Sequence, residues 1–135
     1  MEKIKPGERI EKHITVKKSH LANEVGSGDV AVFSTPMVIN AMEAASSELL
    51  RNHLEPEFTS VGTKINIDHV APTLEGVKVK VASELVNIDR RKYYFYVEVS
   101  DNAGIIAKGE HVRVVVEKEI FIKKAKERSE INSVI

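Results

Sequence analysis

Apolar and polar residues alternate along much of this chain, interrupted by one long stretch with the period of a helix. Over residues 9–17, Ile10, Lys12, Ile14 and Val16 fall on one side and Glu11, His13, Thr15 and Lys17 on the other, which predicts a strand. Residues 19–29 carry Gly26-Ser27-Gly28-Asp29 and no period, so a loop or lid is expected there. Val30 to Phe33 is a short apolar piece. Thr35-Pro36 then reads as a helix start, with Thr35 as N-cap and Pro36 as the first helical residue. The helix is expected to run to about Leu54, where Glu55-Pro56 stops it. Its first half is apolar or small on nearly every side, the pattern of a helix buried all round.

From Thr59 onward the period is two, and the pattern predicts a meander of strands. Ile65, Ile67 and His69 share one face and Lys64, Asn66 and Asp68 the other. Val77, Val79, Val81, Ser83 and Leu85 form the inner face of the next strand. Asp89-Arg90-Arg91 makes a charged turn. Tyr93, Phe95, Val97 and Val99 share a face, and Asp101-Asn102-Ala103-Gly104 turns the chain again. A last strand covers residues 105–116, and residues 119–128 form a short surface helix. One strand, one long helix and four antiparallel strands make an α+β layout. A single sheet cannot cover every side of such a helix unless it curls round it or a second subunit covers the rest. Residues 1–128 are expected to form one domain, with 129–135 a frayed tail.

Composition narrows the functional classes. Lys+Arg and Asp+Glu balance at 20 each in 135 residues, so no global field favours nucleic acid or an anionic membrane. The absence of cysteine excludes disulfides, thiol catalysis and thiolate metal sites. The first residues lack the apolar stretch of a signal peptide and no segment is long enough to span a bilayer, so a cytoplasmic protein is expected. The histidines show no metal spacing, and no metal is assigned.

Glu43 is the only charged residue between Asp29 and Glu48. A carboxylate inside an apolar helix is costly unless paired or neutralised. It has either a structural partner, inside the fold or across a dimer interface, or a role as general base or nucleophile with its proton affinity raised by desolvation. His69 is either a satisfied core histidine or, at the end of its strand, a group that reaches Glu43 or Thr35. The Thr35 hydroxyl caps the helix, lies beside its positive end where developing negative charge is stabilised, or does both. Gly62 is a turn glycine or a bare backbone that a ligand approaches closely. Arg113 is solvated, at an interface, or pointed inward beyond Ile105, Ala107 and Gly109. No G-x-S-x-G elbow or phosphate-binding glycine loop is present.

These residues carry a resemblance. Thr35, Met42-Glu43, Leu54-Glu55-Pro56, Ser60-Val61-Gly62-Thr63, His69-Val70-Ala71-Pro72-Thr73 and Gly109-Glu110-His111-Val112-Arg113 together resemble the fluoroacetyl-CoA thioesterase-like family of hot-dog-fold proteins, over roughly residues 6–125. The resemblance implies the hot-dog fold, a long central helix wrapped by a curved antiparallel sheet, assembled as a homodimer or a tetramer with sites at the dimer interface. It implies a thioesterase acting on a small or medium acyl-CoA, with Thr35, Glu43 and His69 as catalytic residues and Gly62 and Arg113 at the substrate. CoA belongs to the substrate, and no separate cofactor is implied. Two departures bear on specificity. The lid, about residues 20–32, is shorter than in the fluoroacetyl-specific member and lacks its phenylalanines, and Pro36-Met37 differs after the threonine. Only the general thioesterase chemistry carries over. A hot-dog hydratase or dehydratase and a non-catalytic acyl-CoA-binding module are the alternatives.

Overall fold

A computed structural model describes residues 3–133. Five strands, β1 (Arg9–Thr15), β2 (Phe58–His69), β3 (Lys78–Asp89), β4 (Lys92–Asp101) and β5 (Gly104–Glu117), form one sheet in the order β1-β3-β4-β5-β2. All neighbours are antiparallel. A short helix, α1 (Ala22–Val25), lies in the lid; the long α2 (Thr35–Arg51) packs on all five strands; and α3 (Lys118–Asn132) follows β5. Val38, Met42, Ala45, Leu49 and Leu50 of α2 meet Val79, Val81, Leu85, Phe95, Val97 and Val99 of the sheet in one core. Burial of each large side chain there contributes about 1.5–3 kcal/mol.

The inward faces of β3 and β4 follow the alternation in the sequence. The connectivity does not, because β2 joins β5 rather than β3, so only β3, β4 and β5 form a meander. Residues 70–77, with Pro72 and Gly76, offer no two-residue hairpin turn and instead carry the chain across the sheet. Val70 is bonded beside Ile106 at one side, and Val77 beside Val16 at the other.

The helix start shifts by one residue from its expected place. Ser34 is the N-cap: its backbone is extended, and its hydroxyl accepts from the Met37 N–H at 3.3 Å. Thr35 is already helical, and its hydroxyl is released from capping. Ser34→Ala is therefore expected to lower stability by about 1 kcal/mol, whereas Thr35→Ala leaves it almost unchanged; thermal unfolding of the two variants checks this. The helix also ends earlier than Leu54, at Arg51.

Nor is α2 buried all round. Pro36, Asn40 and Ala44 are exposed, and Ile39, Glu43 and Ser47 are half-buried, because one sheet covers one side of a helix. The lid expected at residues 19–29 contains two short helical turns and is pinned by a bridge between Leu21 and Phe33. The C-terminal helix runs past Arg128 to Asn132, started by the Glu117 carboxylate accepting from the Glu119 and Ile120 N–H groups. Residues 1, 2, 134 and 135, the ends of the expected domain and tail, lie outside the described residues. Among the described residues, no helix is long and apolar enough to cross a membrane.

Candidate active site

Bulges set which side chains face α2. In β2 the register shifts between Gly62, opposite Arg113, and Lys64, opposite Val112. Strict alternation back from His69 would turn Gly62 to the outer face. The extra residue, Thr63, returns Ser60 and Gly62 to the face of Ile65, Ile67 and His69. Gly62 is thus a strand residue, not a turn. A bulge in β5, where Ile106 is the extra residue opposite Val99 and Ser100 of β4, leaves Ile105 exposed and Ile106 buried. Ala107, Gly109, His111 and Arg113 then share the inner face, without the Ile105 expected there. Gly109 has a packing reason: a Cβ would collide with the Asn66 carbonyl and the Ile67 Cα.

Thr35 and His69 meet, with Oγ1 and Nδ1 2.7 Å apart. That is hydrogen-bond reach for a hydroxyl and its base. The His69 Nε2 is buried without a hydrogen-bond partner among the described residues. Burial pushes His69 below its ordinary value of 6.5, against an opposite pull from the Ala71 backbone, so its ring is neutral near pH 7. A recess of about 250 Å³ opens beside it, walled by Val32, Phe33, Val70, Ala71 and Pro72. Pro36 has no N–H and the Met37 and Val38 N–H groups bond to Ser34. Among the described residues, the Thr35 N–H is the donor of the first helical turn without a backbone partner.

Glu43 does not join that pair within the chain. It lies eight residues along α2 from Thr35, about 12 Å at 1.5 Å per residue. Its carboxylate is 3.7 Å from the Arg113 guanidinium, and its side chain is 42% exposed in the single chain. The absence of a side chain at Gly62 makes room for it: a Cβ would sit 2.6 Å from the Glu43 Oε2. Arg113 is buried and points inward, donating from Nε to the Ser60 hydroxyl at 2.8 Å and from Nη2 to the Ser60 carbonyl at 3.0 Å. Burial pushes Arg113 down and Glu43 pulls it up, yet a guanidinium remains charged at neutral pH.

Two members of this cluster escaped the sequence reading, Ser60 and His111. His111 is 1% exposed, and burial pushes it below 6.5. It sits two residues before Arg113 on the same face, and that spacing is the signal that could have found it. Ser60 needed the bulge.

The depressed histidines make stability pH-dependent. Below about 6.5 the unfolded chain takes up protons on His69 and His111 that the folded chain resists. Stability is full above that pH and falls as the pH drops through the lowered folded values. A fall in Tm between about pH 7.5 and 5.5 is expected, and His111→Gln should flatten it.

Cavity size does not locate the site. A groove of about 810 Å³ lies over Lys64, Asn66, Tyr94, Tyr96 and Val112 and borders none of Thr35, Glu43 or His69. Among the described residues, no three His, Asp or Glu side chains gather as metal ligands.

The sequence profile of the family described as Fluoroacetyl-CoA-specific thioesterase matches residues 16–119. The fluoroacetyl-CoA thioesterase of Streptantibioticus cattleyicolor is 33% identical over 98 residues, covering 73% of this chain and 70% of that protein. The crystal structure of a point mutant of the fluoroacetyl-CoA-specific thioesterase, in complex with fluoroacetate and CoA, has a TM-score of 0.83 at 28% identity, covering 87% of this chain and 99% of that one. A hot-dog-like protein from Thermanaerovibrio acidaminovorans has a TM-score of 0.84 at 23% identity, covering 91% of each chain, a likeness of fold.

Proposed function

This chain belongs to the fluoroacetyl-CoA-specific thioesterase family and is a hot-dog acyl-CoA thioester hydrolase, and we propose that it works as a homodimer with Thr35, Glu43 and His69 as catalytic groups. The observation that carries this reading is the 2.7 Å contact between Thr35 and His69 at the start of α2. The Thr35 oxygen attacks the thioester carbonyl while its proton passes to the His69 Nδ1. The Thr35 N–H faces the developing oxyanion. The carbon–sulfur bond breaks, the proton passes on to sulfur, and CoA leaves as the thiol. Glu43 then takes a proton from water as the water oxygen attacks the acyl-threonine, the bond to the Thr35 oxygen breaks to give the acid, and the proton returns to that oxygen, restoring the hydroxyl and the carboxylate. Gly62 and Arg113 lie against the substrate beside Glu43. Nothing further is required as a cofactor. A CoA ester as substrate favours a cytoplasmic setting.

The separation of about 12 Å along α2 supports a site shared between subunits, with the Thr35–His69 pair of one chain meeting Glu43 of the other. The exposed small residues Pro36, Asn40 and Ala44 let a partner approach α2 closely. The 12-residue β2 lies at the end of the strand order, with one edge unpaired among the described residues. The recess beside His69, about 250 Å³, suits a small or medium acyl group.

Thiol release from acetyl-, short branched-, medium-chain and aryl-CoA tests the activity and the acyl class together. Release from none of them by folded dimer would overturn the reading in favour of a binding module. Mixed dimers of Thr35→Ala and Glu43→Gln chains test the sharing. A shared site regains one intact centre per mixed dimer, and sites held within single chains regain none.

A further inference from the structure

We propose that His111 is a positioning residue, a neutral imidazole that orients the Arg113 guanidinium toward Glu43. This rests on the thioesterase reading for its kinetic consequence, but its geometry stands alone. The His111 Nδ1 lies 2.8 Å from the Lys64 carbonyl, and its Nε2 lies 3.1 Å from the Arg113 Nη1. A guanidinium has donors and no acceptor, so Nε2 must be the bare, accepting nitrogen. The proton then sits on Nδ1 and is donated to Lys64, so both contacts require the same tautomer.

This arrangement uses up three Arg113 donors in fixed directions. Nε and Nη2 are held by Ser60, and one Nη1 hydrogen by His111. The second Nη1 hydrogen is left for the side of Glu43, whose Oε2 is 3.7 Å away. The histidine is packed in turn: the bare backbone at Gly62 leaves room for its Cε1, which an added Cβ there would approach to 3.2 Å, and its ring lies 6.2 Å from that of Phe95 on β4. Gly62, His111 and Arg113 therefore form one packed unit beneath Glu43. If His111 moves, the guanidinium loses one of its three anchors and Glu43 loses a fixed counter-charge.

The test compares His111→Leu with His111→Gln in the full dimer, at matched unfolding temperature. Gln presents a donor and an acceptor at about the spacing of the two ring nitrogens. His111→Leu is expected to lower kcat by about 10- to 100-fold, the scale of a small misplacement of a reacting group. His111→Gln is expected to recover most of that loss. Wild-type kcat in folded His111→Leu, or no rescue by Gln, overturns the proposal. Nitrogen NMR of the wild-type imidazole supplies a readout that needs neither turnover nor a variant. A proton on Nδ1 at neutral pH is expected, and a proton on Nε2 overturns the proposal. Failure of the wild type to release thiol would instead overturn the thioesterase reading, leaving the NMR result to decide the role of His111.

Discussion

Glu43→Gln is expected to lower steady-state kcat by about 10²- to 10⁴-fold, the range associated with loss of a positioned proton acceptor. The substitution keeps the shape of the side chain and removes its charge. It should hardly change the fold, because the Glu43 side chain is 42% exposed and its approach to Arg113, at 3.7 Å, is longer than a hydrogen bond. Partly exposed pairs of that kind are worth at most about 1 kcal/mol. Stability and turnover should therefore separate cleanly, with an unfolding midpoint near that of the wild type and almost no continued thiol release. The first turnover carries more information. If Thr35 forms the acyl intermediate, Glu43→Gln releases a burst of about one thiol per site and then stalls, because the water that clears the acyl group lacks its base. If Glu43 drives water directly onto the thioester, there is no burst. Sustained turnover near the wild-type rate in folded dimer would remove Glu43 from the chemistry.

His69→Leu is expected to lower kcat by a similar factor, about 10²- to 10⁴-fold, with the opposite signature in stability. Among the described residues, the buried Nε2 of the native ring has no hydrogen-bond partner. An unsatisfied buried polar atom of this kind costs about 1–3 kcal/mol. An apolar side chain of comparable bulk removes that penalty while losing the contact to Thr35. Stability should hold or rise as activity collapses, which a merely structural histidine would not produce. The pH profile adds a second check. The neutral ring is the form that takes the Thr35 proton, and burial pushes its titration below 6.5. The wild-type kcat should therefore hold as the pH falls to 6.5 and decline below it, and the residual activity of His69→Leu should lack that limb. A variant with wild-type kcat and a lowered midpoint would assign His69 to the core alone.

Much of this arrangement could be read from residue patterns. The inner faces of β3 and β4 follow from alternation, and His69 lies on the face of Ile65 and Ile67 as its spacing requires. The start of α2 was legible to within one residue, but the pattern Ser34-Thr35-Pro36 offers two capping hydroxyls. Only the extended backbone at Ser34 and the bond from the Met37 N–H show which one is used. For His69 two partners were left open, Thr35 and Glu43. The helix decides between them because Glu43 lies two turns farther along. Arg113 was left open between solvent, an interface and an inward face; His111 shares its face by spacing, but its anchoring by Ser60 depends on a bulge that no period records.

By itself the sequence determined the local elements, the isolated carboxylate in the first half of the long helix, the likeness to hot-dog thioesterases and the residues worth testing. Those follow from short-range geometry: backbone preferences and side-chain periods act over a few residues and are written directly in the order of the chain. The tertiary structure decided that β2 lies beside β5, that Thr63 bulges to bring Gly62 inward, and that His111 and Ser60 grip Arg113. It also left one side of α2, with Glu43 on its flank, uncovered. These are outcomes of long-range packing, in which strand pairing depends on which surfaces remain to be covered once the helix has settled on the sheet.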